Sequence, residues 1–176
     1  SESDQPEALF NIGLLYLDGN AVEQNAATAL DYFERAEALD VSTASYMIGT
    51  LQLSGDQGIP VDLEEGRERV RLAAIGGVPE AQFSYANLLL SGIGAPRRLR
   101  GVLTYFFSST APAGDPYLSY IWGRIAQEND LLDSDLDRLV GVTEVMLDGR
   151  KDQAEETIAE CIASALTNCP SILRVE

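Results

Sequence analysis

Histidine is absent from all 176 residues, so the chain has no imidazole to act as general base, metal ligand or triad member. The side chains left to do chemistry are two cysteines, a run of carboxylates and a knot of arginines. Cys161 and Cys169 are too few for a structural zinc site. Their number suits one disulfide in an exported protein, with two buried thiols as the alternative. Along a straight helix they would lie roughly 12 Å apart, beyond the roughly 7 Å that a bridge spans, so pairing requires a bend. Asn168 and Pro170 favour such a bend, and a bridge there would stabilise the end of the chain by roughly 2.5 kcal/mol in the chain-entropy model.

Asp130, Asp133, Asp135 and Asp137 make an acidic stretch whose alternation suggests calcium. It lacks the glycine turn and the closing glutamate of a calcium loop, and a solvated acidic loop is the plain reading. Arg97, Arg98 and Arg100 suit a carboxylate-bearing partner, or pairing with the chain's own acids. Gly92-Ile-Gly-Ala-Pro is short and follows a helical pattern, so it is no phosphate loop. Carboxylate pairs occur in any acid-rich helical protein. The chain is therefore read as a non-enzyme, with no catalytic residue, no metal site and no cofactor.

The formal charge of −16 makes nucleic acid an improbable partner, because phosphates demand a basic footprint. Residues 1–63 carry eleven acids against one arginine, residues 64–114 four against six, and residues 115–176 thirteen against five basic residues. Two acidic ends flanking a mildly basic middle favour a basic or charge-patterned protein partner, solubility alone being the other reading. No apolar run, Leu88 to Leu90 included, approaches the roughly 18–20 residues of a membrane span.

The elements that would position these groups repeat. Glu7 to Ala36 holds two helical patterns, with Ala8, Ile12, Gly13 and Tyr16 on one face of the first and Ala29, Phe33 and Ala36 on one face of the second. Gly19 stops the first and Asn25 caps the second. Later in the chain, Ala44, Gly49 and Gly55 answer Ala8, Gly13 and Gly19, while Gly66, Val70 and Ala73 answer Ala29, Phe33 and Ala36. In a third unit Ala81, Ala86 and Gly92 keep that register. Its second helix is expected near 102–109, with Tyr105 and Phe106 as anchors and Arg98 as a poor cap. Pro116 is expected to open a fourth unit, in which Gly123 answers Gly13, Gly49 and Ala86, followed by a helix over 136–147. A last helix over 152–166 would bury Ala154, Ile158, Cys161, Ile162 and Ala165, and Trp122 is read as core. Because one hairpin cannot bury its own apolar face, stacking is the chemistry of the pattern.

The phrases EALFNIGLLYLDGNAV and ATALDYFERAEAL resemble one nearly complete repeat of the Sel-1-like repeat family, a branch of the tetratricopeptide class. TASYMIGTLQLSGDQGIPVDLEEG and EAQFSYANLLLSGIGAP resemble two more. The resemblance implies an all-α, α/α solenoid, a right-handed superhelix of about four hairpins plus a C-terminal capping helix. The expected limits are 6–41, 42–78, 79–115 and 116–149 within a single solenoid over 1–176, with the cap and tail at 150–176.

The resemblance also implies that first helices line a concave side that holds a partner. Offsets of i, i+4, i+7 and i+11 place Glu7, Asn11, Leu14 and Asp18 there in the first unit. Thr43, Met47, Thr50 and Ser54 follow in the second, Glu80, Ser84, Asn87 and Ser91 in the third, and Tyr117, Ile121, Arg124 and Glu128 in the fourth. The expected role is a monomeric interaction module or adaptor of a bacterial-type envelope. The alternative is an immunity protein against a secreted, basic or envelope-targeting toxin. The expected compartment is periplasmic or secreted, with the cytoplasm as the alternative, and the partner is a protein such as a toxin, a receptor or an envelope-assembly component.

Overall fold

The first hairpin is α1 (Pro6–Asp18) with α2 (Ala26–Glu37), the second α3 (Ser42–Ser54) with α4 (Leu63–Ile75), and α5 (Pro79–Ser91) opens the third. Then come α6 (Pro116–Glu128), α7 (Ser134–Val145) and α8 (Lys151–Ala163). The computed structural model describes residues 5–95 and 114–166, and among these lie eight α-helices, one 3-10 turn at Asp56–Gly58 and no strand. Each helix packs on the one before it or on its repeat neighbour, giving an α/α solenoid.

Helix starts are of two kinds. α2, α4 and α6 open on a side-chain cap, in which Asn25 accepts from Thr28 N at 3.0 Å, Asp62 from Glu65 N at 3.0 Å and Asp115 from Leu118 N at 3.0 Å. In contrast, α1, α3 and α5 are entered from the extended residues Gln5, Val41 and Val78 without a side-chain cap. These uncapped helices end on Gly19, Gly55 and Gly92 at φ of 69°, 71° and 69°, a left-handed C-cap that glycine adopts without Cβ strain.

One backbone bond closes each hairpin. Asn25 N donates to Tyr16 O at 2.8 Å, Asp62 N to Gln52 O at 2.9 Å, and Asp115 N to Leu89 O at 2.8 Å. α6 therefore stands to α5 as α2 stands to α1. This corrects the expectation that Pro116 opens a fourth hairpin: α6 is a second helix, in which the buried Ser119, Gly123 and Ala126 answer Ala29, Phe33 and Ala36. The connection from Gly92 to Asp115 is far longer than Gly19–Asn25 or Gly55–Asp62, and that length displaced the reading. The helix expected at 102–109 lies outside the described residues, as do Arg97, Arg98, Arg100 and Cys169.

The turn out of each second helix is also shared. Val41 N reaches Ala36 O at 3.2 Å, Val78 N reaches Ala73 O at 3.1 Å and Leu131 N reaches Ala126 O at 3.2 Å, each across a left-handed residue, Asp40, Gly77 or Asp130. α8 ends likewise, with Leu166 N on Cys161 O at 2.9 Å. That terminal helix packs on α6 and caps the stack through Ala154, Ile158 and Cys161, all buried, with Glu156 and Glu160 facing out. Ile162 and Ala165, expected in the buried stripe, are exposed; the helix stops at Ala163, so Ala165, with left-handed φ, no longer follows its face.

Close approach within hairpins follows from small residues. A Cβ on Gly49 would lie 2.9 Å from Gly66 O and 2.9 Å from Val70 Cγ2, so only glycine lets α3 and α4 meet at that crossing. In the third hairpin Ala86 occupies that position, and small residues on α6, Ser119 and Gly123, stand at the answering sites. Trp122 is core, 1% exposed, with its ring edge-on to Tyr85 at a centroid distance of 5.5 Å.

Candidate partner-binding face

The outward residues of α1, α3 and α5 lie where their spacing places them. Glu7, Asn11 and Asp18 are exposed and Leu14 is half-buried; Thr43 and Ser54 are exposed, with Met47 and Thr50 half-buried; Glu80, Asn87 and Ser91 are exposed, with Ser84 half-buried. The ridges are fixed to one another. Tyr46 Oη and Ser84 Oγ share a hydrogen bond of 3.0 Å between α3 and α5, while within α3 Thr50 Oγ1 donates to Met47 O at 2.9 Å. This face is polar, with apolar side chains standing half out of it, the composition of an interface rim around anchors.

Tyr117, Ile121, Arg124 and Glu128 do not continue it. Tyr117 is 4% exposed and Ile121 is fully buried, because α6 is a second helix packed between α5, α7 and α8. Arg124 is half-buried and engaged, donating to Gln127 Oε1 at 2.8 Å, Glu128 Oε1 at 3.3 Å and Glu155 Oε1 at 3.4 Å. The same carboxylate accepts from Tyr120 Oη at 2.5 Å, and burial first, then that bond, push the phenol above its ordinary range. Arg124 ties the cap to the stack through Glu155, Tyr117 and Ile121 are buried, and Glu128 is exposed but paired with Arg124.

The next open ridge is α7. Between it and α5 lies an open cleft of about 510 Å³, lined by Phe83, Asn87 and Leu90 on one wall and Asp135, Arg138, Leu139 and Val142 on the other. Val142 is 51% exposed, enough to serve as an anchor, and Arg138 pairs with Asp135 at 2.8 Å while remaining largely exposed. Phe83, Leu90, Arg138 and Val142 were missed from sequence. The signal that finds them is the i, i+4, i+7 stripe Leu136, Val140 and Thr143 behind the Asp133 cap, which marks α7 as a ridge with its other side out.

The second helices hold their neighbours by charge. Arg69 on α4 pairs with Glu37 on α2 and with Glu65, and Arg67 donates to Leu88 O at 3.0 Å and Ile93 O at 2.8 Å while covering the Tyr85 ring. Burial raises the Tyr85 phenol above its usual value. In the acidic stretch Asp133 caps α7, Asp135 serves Arg138, and Asp137 accepts from Gln127 Nε2 at 2.6 Å. Among the described residues no group of three or more His, Cys, Asp or Glu converges as a metal site, and no helix is long and apolar enough to cross a membrane.

A family model described as Sel1 repeat matches residues 6–41, 42–74 and 79–98, the third segment stopping inside the long connection before α6. Over 92 residues the chain is 33% identical to the alginate biosynthesis protein AlgK of Pseudomonas syringae pv. tomato, a match spanning 52% of this chain and 19% of that protein. Among solved structures, a Sel1 repeat protein from Oxalobacter formigenes superposes with a TM-score of 0.62 at 21% identity, covering 80% of this chain and 90% of that one. A protective antigen present in uropathogenic Escherichia coli strains, displaying an SLR fold, gives 0.59 at 26% identity over 72% of this chain and 23% of its own length.

Proposed function

The chain belongs to the Sel1 repeat family, and from that premise we propose that it is a non-enzymatic interaction module of a bacterial-type envelope, holding a protein partner along the ridges α3, α5 and α7. Repeats of this family mediate protein–protein interaction. The observation that carries the reading is the α5–α7 cleft, where Phe83, Leu90 and Val142 stand among Asn87, Asp135 and Arg138. Met47 extends the apolar line onto α3. An extended or helical segment with spaced apolar anchors fits this surface, and basic flanks would suit the acidic ends.

Support for the envelope comes from the relative named for alginate biosynthesis and from the cysteines. Cys161 carries no free thiol, and Cys169 is the only other cysteine in the chain, so the proposal includes their pairing and an oxidising compartment. A second reading, an immunity protein that occludes a basic toxin, is favoured by the net charge of −16.

The test is capture from native lysate with the wild type and with Met47→Arg and Val142→Arg, each verified by an unchanged helical circular-dichroism spectrum. A partner enriched by wild type should be lost from both variants, and its binding should weaken as salt rises. Equal recovery by all three chains refutes the ridge as the binding surface. Gene linkage of the partner to a secreted toxin would select the immunity reading.

A further inference from the structure

Gly141 is the eighth residue of α7, as Gly13, Gly49 and Ala86 are of α1, α3 and α5. In the first two hairpins that place seats a second helix. A Cβ on Gly13 would lie 2.5 Å from the Phe33 ring, and one on Gly49 would lie 2.9 Å from Val70 Cγ2. At Gly141 a Cβ would meet nothing within 4 Å. Val145, twelfth in α7, is 85% exposed, whereas Leu17 holds that position in α1 at 7% and Leu53 packs against Gly66 from α3. The face of α7 that corresponds to a hairpin crossing is thus left open by the described residues.

The helix whose pattern fits that seat is α8. Its fourth, eighth and eleventh residues, Ala154, Ile158 and Cys161, repeat Ala29, Phe33 and Ala36 of α2 and Gly66, Val70 and Ala73 of α4. Yet α8 lies on α6, whose outer face is aromatic: Tyr117 and Tyr120 stand at its second and fifth positions, where α4 carries Glu64 and Arg67. Tyr120 Oη donates to Glu155 Oε1 at 2.5 Å, and the Arg150 guanidinium covers the Tyr117 ring at 4.7 Å. One stripe therefore matches two seats, the aromatic one that it occupies and the glycine one on α7. We infer that α8 is a strap that leaves α6 and closes on α7, completing a fourth hairpin and uncovering Tyr117 and Tyr120. In the closed state Ile158 sits over Gly141 as Phe33 sits over Gly13, and Val145 packs on Ala154 as Leu53 packs on Gly66. The link Met146–Arg150 is long enough, since antiparallel helices are joined by about 2–5 residues. Gly149, at φ 81° and without a Cβ, absorbs the change of direction. Both seats lie off the α5–α7 cleft, so the strap moves whether or not the cleft holds a partner.

Cysteine pairs in the full chain read the closed state. Gly141→Cys with Ala154→Cys places thiols where Gly49 and Gly66 meet in the second hairpin, so their bridge requires α8 on α7. Gly141→Cys with Glu156→Cys is the comparison, because Glu156 is exposed where Ala154 is buried. Under mild oxidation, with bridges assigned by peptide mapping and folding verified by circular dichroism, the 154 pair should bridge several-fold faster than the 156 pair. Fraying of α8 would favour the exposed position, so equal rates, a faster 156 pair or no bridge at 154 overturns the inference. Tyr120→Phe removes the bond to Glu155 and should speed bridging at 154; an unchanged rate overturns the competition between the two seats. The bridged chain should bind an apolar fluorescent dye more strongly than the same chain after reduction, and equal binding would overturn the uncovering of Tyr117 and Tyr120. If Ala154→Cys disturbs the fold, Ile158→Cys takes its place, since its counterpart Val70 also meets Gly49.

Discussion

Gly49→Ala and Gly141→Ala add the same methyl group to the same kind of backbone and should shift stability in opposite directions. Both glycines lie inside helices, α3 and α7, where replacing glycine by alanine gains about 0.8–1 kcal/mol of helix propensity. At Gly141 a Cβ meets nothing within 4 Å, so the gain stands alone. At Gly49 the Cβ would lie 2.9 Å from Gly66 O, 2.9 Å from Val70 Cγ2 and 3.1 Å from Val70 N. Two of these are backbone atoms of α4, which yield only if the helix moves, and overpacking of that kind costs about 1–3 kcal/mol. With immovable neighbours the upper half of that range applies, leaving a net loss of about 1–2 kcal/mol after the propensity gain. For a chain of this size, 1 kcal/mol shifts the midpoint by roughly 2–4 °C. Thermal circular dichroism should therefore place Gly141→Ala a few degrees above wild type and Gly49→Ala below it by roughly 2–8 °C. Equal stabilisation of the two variants would refute the claim that glycine at position 49 sets the distance between α3 and α4.

Two further outcomes follow from the α6–α8 junction and the end of the chain. The Tyr120 phenol is raised above its unfolded value, so its contribution is intact below about pH 10 and lost as pH rises through the folded pKa. Denaturant midpoints should fall above pH 10 more in wild type than in Tyr120→Phe, and parallel curves would remove Tyr120 as a cause. Mass spectrometry of the non-reduced chain should recover Cys161 linked to Cys169, whereas two alkylatable thiols would remove the bridge and with it one support for an oxidising compartment.

The first two hairpins were legible because local chemistry and global packing agree in them. Asn25 and Asp62 cap, Gly19 and Gly55 terminate, and small residues fall where helices cross. The third hairpin was misread at a specific place. Gly123 recurs at the spacing of Gly13, Gly49 and Ala86, but both helices of a hairpin carry small residues at their crossing, so the spacing alone cannot say which helix a glycine belongs to. The distinguishing mark was the cap: α1, α3 and α5 are entered without one, whereas Asp115 caps α6 as Asn25 and Asp62 cap α2 and α4. Reading that mark would have buried Tyr117 and Ile121 in advance and moved the open ridge to α7, where Arg138 and Val142 lie. Leu14, Met47 and Ser84 stand half out of α1, α3 and α5 as helix geometry dictates, and no insertion disturbs that geometry once the helix is correctly identified.

The bond from Asp115 N to Leu89 O has a consequence for how such a chain diversifies. It closes the third hairpin as firmly as its counterparts close the first two, although the connection it spans, Gly92–Asp115, is far longer than Gly19–Asn25. For a flexible connection, a length difference of that size changes closure entropy by only about 1 kcal/mol. Between α5 and α6 the solenoid is thus a port, a position where sequence can be added, removed or exchanged with the stack on either side left in register. Variation in this lineage should collect there first, while Gly49, Phe33 and Ala73 stay fixed.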